Sequence, residues 1–131
     1  MTELLGGATV LIVDKDFGFV FWIGEIFDEV GCHAVPALDC TEAVSIVKEL
    51  NLKIDLVVVN PQLPGVADMM RTFQGPNLKI IAIRDRRIQA IRTFPVDAIL
   101  QRPSGRDPIS RERWLDRVRK ILRDLHLLGA A

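Results

Sequence analysis

The chain of 131 residues is 49% hydrophobic and 26% charged, the balance of a soluble globular protein with one core. No apolar run approaches the roughly 18 residues of a membrane span, and the opening MTELLGGATVLIV has neither a basic region nor a small-residue cleavage site, so a cytoplasmic protein without membrane contact is expected. Seventeen basic and seventeen acidic residues cancel, but they are segregated: through Ile83 the count is five against eleven, a net −6, and from Arg84 onward it is twelve against six, a net +6.

The first element is the apolar run ATVLIV at 8–13, of strand type. A helix is predicted from about Asp16 to Val30, with Asp16 as its cap and Gly31 as its stop. At 100° per residue Phe19, Val20, Ile23, Ile26, Phe27 and Val30 share one face. Phe17, Phe21 and Trp22 fall outside it and predict an exposed aromatic patch. CHAVPA at 32–37 reads as the second strand. Its Cys32 and the later Cys40 read as two reduced thiols, and the neighbouring Cys32 and His33 lack the second cluster that a metal site requires.

The next helix opens at DCTE, where Asp39 as N-cap and Glu42 three residues on form a capping-box variant. IDLVVV at 54–59 is a third strand, closed by Asn60 and the turn-forming PQLPG. Residues 66–73 and 86–94 offer barely two helical turns each, around a fourth strand LKIIAI at 78–83 and before a fifth, DAIL, at 97–100. The last helix begins at RDPIS, with Asp107 as cap and Pro108 in the first turn. It should bury Trp114, Leu115, Val118, Ile121, Leu122 and Leu125, leaving Arg111, Arg113, Arg117, Arg119, Lys120 and Arg123 outside. Strands alternating with helices, without hairpin turns, imply a three-layer α/β/α domain around a parallel sheet. With no linker, repeat or low-complexity stretch, residues 1–131 read as one domain with a core at about 8–125.

Functional groups of an open parallel sheet gather at the carboxyl ends of its strands. Here those ends carry Asp14, Lys15 and Asp16, then Asn60, Arg84 and Arg102. The stretches VLIVDKD, CTEAV, DLVVVNPQLPG, KIIAIRD and DAILQRP, in this order and spacing, resemble the response-regulator receiver domains of two-component signalling. The resemblance implies a flavodoxin-like (βα)5 fold with five strands. It also implies a phosphoacceptor Asp ending the third strand, two Mg²⁺-binding acids after the first, a hydroxyl residue ending the fourth and a Lys ending the fifth.

The sequence departs from that pattern at four of the five positions. Asp14 matches the first acid, but Lys15 stands at the second, Asn60 at the phosphoacceptor, Arg84 at the hydroxyl and Arg102 at the lysine. One acid against three bases opposes a divalent cation, at about 4 kcal/mol per unit-charge pair 4 Å apart in an effective dielectric of about 20. Mg²⁺ binding is therefore expected to be weak or absent, with Asp14 and Asp16 at most vestigial ligands, and no other cofactor is expected. An amide at position 60 is not a nucleophile for phosphoryl groups, and Pro61, lacking an N–H, blocks succinimide deamidation back to Asp. The family's rotating switch aromatic is replaced by Ile99.

The expected arrangement pairs Arg84 and Arg102 with Asp14 and Asp85; the alternative is a binding site for an anionic small ligand. The basic last helix reads as a solvated face with salt-bridge pairs, and nucleic acid is an unlikely partner because no aromatic platform accompanies it. A homodimer would need pairs among Arg92, Arg113, Arg117, Asp97 and Asp116. Neither a G-x-x-x-x-G-K-S/T loop nor a G-x-S-x-G turn is present, and His33 and His126 are the only histidines, so no enzyme is expected. The sequence thus predicts a stand-alone, degenerate receiver with no output domain, acting on another signalling protein (a histidine kinase, phosphotransfer or effector protein) without phosphorylation at position 60. Its partner surface is Phe17, Phe21 and Trp22 or Arg113 and Arg117; the alternative is a constitutive homodimerisation or structural module.

Overall fold

ATVLIV, IDLVVV and LKIIAI are rich in β-branched residues that pack on both faces of a sheet, and these runs, with the outer CHAVPA and DAIL, become strands. In a computed structural model that describes residues 7–73, 75, 77–84, 95–102 and 108–127, with side chains of the last segment from 111 onward, these are β1 (Thr9–Val13), β2 (His33–Ala37), β3 (Leu56–Val59), β4 (Lys79–Arg84) and β5 (Ala98–Gln101). All pair in parallel, in the order β2-β1-β3-β4-β5. This is the flavodoxin-like order, which reverses direction beside β1 and opens a crevice at the carboxyl ends of β1 and β3. The predicted fold class is the observed one.

Among the described residues four helices cover the sheet: α1 (Phe17–Glu29), α2 (Cys40–Leu50), α3 (Val66–Thr72) and α4 (Pro108–Asp124). The helix expected at 86–94 and the cap at Asp107 lie outside the described residues. Asp16 caps α1 by accepting from the Phe19 N–H at 3.1 Å. The same helix ends in a Schellman pair, Cys32 N–H to Phe27 O and Gly31 N–H to Asp28 O, each at 3.0 Å, and Gly31 takes the left-handed φ of +98° that this stop requires. For α2, Asp39 Oδ1 accepts from Glu42 N–H and Glu42 Oε1 accepts from Leu38 N–H, both at 2.7 Å. The return bond therefore lands one residue before the cap.

The core is two apolar layers separated by the sheet. On one side Val10, Ile12, Leu56, Val58, Ile81 and Leu100 meet α1 and α4; on the other Leu11, Val13, Val57 and Val59 meet α2 and α3. Cys32 lies in the first layer and Cys40 in the second, both as free thiols, so the sheet itself keeps them apart. None of the described helices is long and apolar enough to cross a membrane.

Phe17 and Phe21 are indeed 60% and 52% exposed, but Trp22 is not part of their patch. Its indole reaches past the flank of α1 to lie 5.2 Å from Trp114 of α4, and Phe19 sits 6.1 Å from the same Trp114, edge to face. A helical wheel measures angles about one axis; it does not show that α4 stands close enough to receive a side chain from the flank.

Three aspartates accept from strand N–H groups among the described residues. Asp55 Oδ2 accepts from Thr9 N–H at 2.9 Å and Asp97 Oδ2 from Ile80 N–H at 2.8 Å, satisfying donors at the start of β1 and β4. At the outer strand β2, Ala34 N–H donates to Asp28 Oδ1 at 3.2 Å, and Pro36 has no N–H.

Gly24, buried in the interior of α1, has room for a methyl group, whose nearest neighbours would be Ala34 Cβ at 3.8 Å and Ile12 Cδ1 at 3.9 Å. Gly24→Ala should therefore stabilise the protein by about 0.5–1 kcal/mol, read as a higher urea midpoint. Burial, then the Asp28 and Asp55 carboxylates, push the Cys32 thiol up from 9.0 to about 11. The native state then holds this proton after the unfolded chain has released it, so stability should be flat below pH 9.0 and fall as the pH rises towards about 11. Urea titrations of the wild type and Cys32→Ala across that window should show the decline lessened in the variant.

Candidate functional site

Backbone pairing continues one residue beyond several strands and fixes the groups at their ends. Asp14 N–H donates to Ala37 O at 3.2 Å, Asn60 N–H to Val13 O at 3.0 Å and Arg102 N–H to Arg84 O at 2.8 Å. The sheet order then lines up β1, β3, β4 and β5 so that Asp14, Asn60, Arg84 and Arg102 occupy successive places along the carboxyl edge.

Asp14 is the only buried charged side chain among the described residues. A bare carboxylate there would cost several kcal/mol, and a cation must answer it. Arg102 Nη2 does so at 2.5 Å from Asp14 Oδ2, while Asp14 Oδ1 accepts from Asp16 N–H at 3.1 Å. Arg102 Nη1 also stands 3.7 Å from Asp16 Oδ2. The guanidinium carbon lies 4.5 Å from the centre of the Phe19 ring. The plane of the arginine thus offers an edge to carboxylates and a face to an aromatic ring, a combination that an ammonium group does not supply.

The expected pairing of Arg102 with Asp14 is present. Arg84 is exposed, and its expected partner Asp85 lies outside the described residues. Lys15 is exposed as well. Asn60 has a local structural role. Its Oδ1 accepts from Gln62 N–H at 2.9 Å and its backbone O from Leu63 N–H at 3.2 Å, an Asx turn enclosing Pro61. Ile99, at the position of the family's switch aromatic, is 36% exposed on β5, and its carbonyl accepts from Arg117 Nη2 at 3.2 Å.

The donor set does not fit Mg²⁺. That ion takes near-octahedral oxygen ligands at about 2.1 Å, yet one Asp14 oxygen is held by a guanidinium and the other by a backbone N–H. Asn60 Oδ1 is committed to its turn, and Lys15 stands where a second carboxylate would be required. Among the described residues no group of three or more His, Cys, Asp or Glu could hold a metal ion.

Sequence reasoning placed Phe19 on the buried stripe and Trp114 in the core, but it missed that the Phe19 ring lies under Arg102 and against Trp114. An aromatic residue three positions after a capping Asp is the only local signal. The rest is tertiary.

No protein-family model matches the sequence, and no curated protein matches it. Solved structures do. A response regulator receiver protein from Burkholderia phymatum is 18% identical, with 95% of this chain and 99% of that one covered at a TM-score of 0.71. The signal receiver domain of an HD domain-containing protein from Pseudomonas fluorescens is 17% identical over 96% of this chain and 94% of that one, at 0.69. A CheY-like response regulator receiver domain protein from Methanospirillum hungatei is 15% identical over 90% and 96%, at 0.65. At such identities the likeness is one of fold, and the fold is that of receiver domains.

Removing Arg102 should strand a buried carboxylate. Arg102→Ala is expected to cost about 3 kcal/mol in urea denaturation, at the low end for a broken buried pair because the arginine side chain keeps 22% of its surface in solvent. Asp14→Asn should cost less, since an amide keeps an acceptor and Arg102 retains Asp16 and water. A loss below about 0.5 kcal/mol for Arg102→Ala would show that the pair does not hold the site together.

Proposed function

We propose that this chain is a receiver-type module of two-component signalling that acts by binding another protein, without phosphotransfer at position 60. The observation that carries this reading is the Arg102 guanidinium seated on buried Asp14, beside an Asn60 whose amide oxygen is spent on its own turn. Phosphoryl transfer to a receiver needs a carboxylate nucleophile and a cation to screen the approaching oxygens. Here an amide stands at the nucleophile's position, and the Asp14 carboxylate at the neighbouring strand end is already paired within the chain. What is left is a fixed conformation that a partner can recognise.

The surface that favours binding most is the Phe17 and Phe21 pair, whose rings meet edge to face at 4.4 Å while both remain more than half exposed. Covering two aromatic rings supplies more binding free energy than neutralising exposed charges. Arg113 and Arg117 form the secondary surface; both are exposed, with no carboxylate partner among the described residues. A histidine kinase, phosphotransfer or effector protein is the class of partner, by analogy with receivers. The homodimer reading is weaker, because two of its intended carboxylates are engaged at home: Asp97 with Ile80 N–H, and Asp116 with Arg119 at 3.6 Å. Arg92, a third residue of that reading, lies outside the described residues. An anionic ligand at the strand ends would have Lys15 and Arg84 to meet it, but it would have to compete with Asp14 for Arg102.

Amide spectra recorded with Mg²⁺ and acetyl phosphate or beryllofluoride should leave the resonances of Asp14, Asn60 and Arg84 in place. A response localised to those residues would overturn the unphosphorylated mechanism. Phe21→Ser should weaken capture of a kinase or phosphotransfer partner by about tenfold or more with the fold retained. Unchanged capture would remove the α1 surface from consideration.

A further inference from the structure

Arg102 touches more than the acidic strand end. The ring on which its guanidinium lies, Phe19, is 6.3 Å from Trp22 and 6.1 Å from Trp114, and the two indoles are 5.2 Å apart. These three rings fill the seam between α1 and α4. The chain has two tryptophans, and both are here.

Phe19 is held twice from the charged side. Its backbone N–H donates to Asp16 Oδ1, and its ring lies against Arg102; Asp16 Oδ2 in turn faces Arg102 Nη1. Asp14, Asp16, Arg102 and the first turn of α1 therefore form one connected unit, and the position of a single guanidinium sets the geometry at both of its ends.

We infer that Arg102 is a positioning residue that couples the charge at the strand ends to the α1–α4 seam, and through the first turn of α1 to the exposed Phe17 and Phe21 pair. Whatever draws the guanidinium away from Asp14 also lifts it from Phe19 and lets the Phe19, Trp22 and Trp114 rings repack. By linkage, whatever fixes α1 from outside tightens Arg102 on Asp14. The last step, to the Phe17 and Phe21 surface, rests on the binding role proposed above; the coupling to the seam does not.

The two indoles report on this directly. Arg102→Lys keeps a positive charge for Asp14 but removes the planar face that lies on Phe19. It should shift the Nε1–H resonances of Trp22 and Trp114 and the tryptophan emission of the folded protein. Asp14→Asn should do so as well, and Lys15→Ala, an exposed neighbour, should not. In a Phe19→Leu background the shifts produced by Arg102→Lys should largely vanish, which makes the coupling a double-mutant quantity and separates it from two independent perturbations. Amide dispersion establishes that each variant is folded, and if Arg102→Lys does not fold, the Asp14→Asn comparison in the two backgrounds serves in its place. Indole resonances that stay put in the folded variants, or that move equally with and without Phe19, would overturn the inference. Failed partner capture with the indole coupling intact would count against the binding role alone.

Discussion

A buried carboxylate has to be neutralised by something. In this chain Asp14, at the end of the first strand, is answered by an arginine 88 residues later, at the end of the fifth. The pairing is possible only when β1, β3, β4 and β5 stand in order, because Arg102 is placed by its backbone bond to Arg84, β4 by its register with β3 and β3 by its register with β1. The ion pair therefore sits at the close of the fold's longest-range arrangement. It joins the acidic first part of the sequence to the basic last part at a fully buried carboxylate, the only such charged side chain among the described residues. Coulombic attraction between those parts is weak at the surface and strong at that point.

The same constraint changes what the strand-end crevice can be. A site built to receive a mobile cation and an incoming phosphoryl group keeps its carboxylates available and its charge negative. Here the cation is covalently part of the chain, it is shared with Asp16, and it leans on an aromatic ring. Asn60 completes the change by turning its amide oxygen to the backbone of Gln62. Each of these contacts stabilises a single arrangement of the strand ends.

Much of the fold was legible in the sequence because hydrophobic period and cap chemistry are local. ATVLIV and IDLVVV can hardly be anything but buried strands, and Asp16, Asp39 and Gly31 mark helix ends by the hydrogen bonds they make or permit. The Arg102–Asp14 pair was legible only through the resemblance, which put two distant residues in one pocket. Trp22 was misplaced because its surroundings come from α4, on which the wheel of α1 carries no information. Asp97 was offered only for pairs across a homodimer for the same kind of reason: its acceptor role depends on which backbone N–H of β4 it meets. The contact of Phe19 with Arg102 combines both difficulties, a ring orientation and a cross-sheet reach, and no spacing rule encodes either.

The treatment of β2 has a consequence for how this molecule behaves in a crowded solution. An outer strand normally offers a row of backbone donors to which any extended chain can attach. At β2 one such donor is taken by Asp28 and the next does not exist because the residue is Pro36. An extended segment approaching that border finds two successive donors missing from the ladder, which weakens the edge-to-edge pairing that starts a fibril. Association on this side then relies more on side chains, which can discriminate between partners as a bare backbone does not.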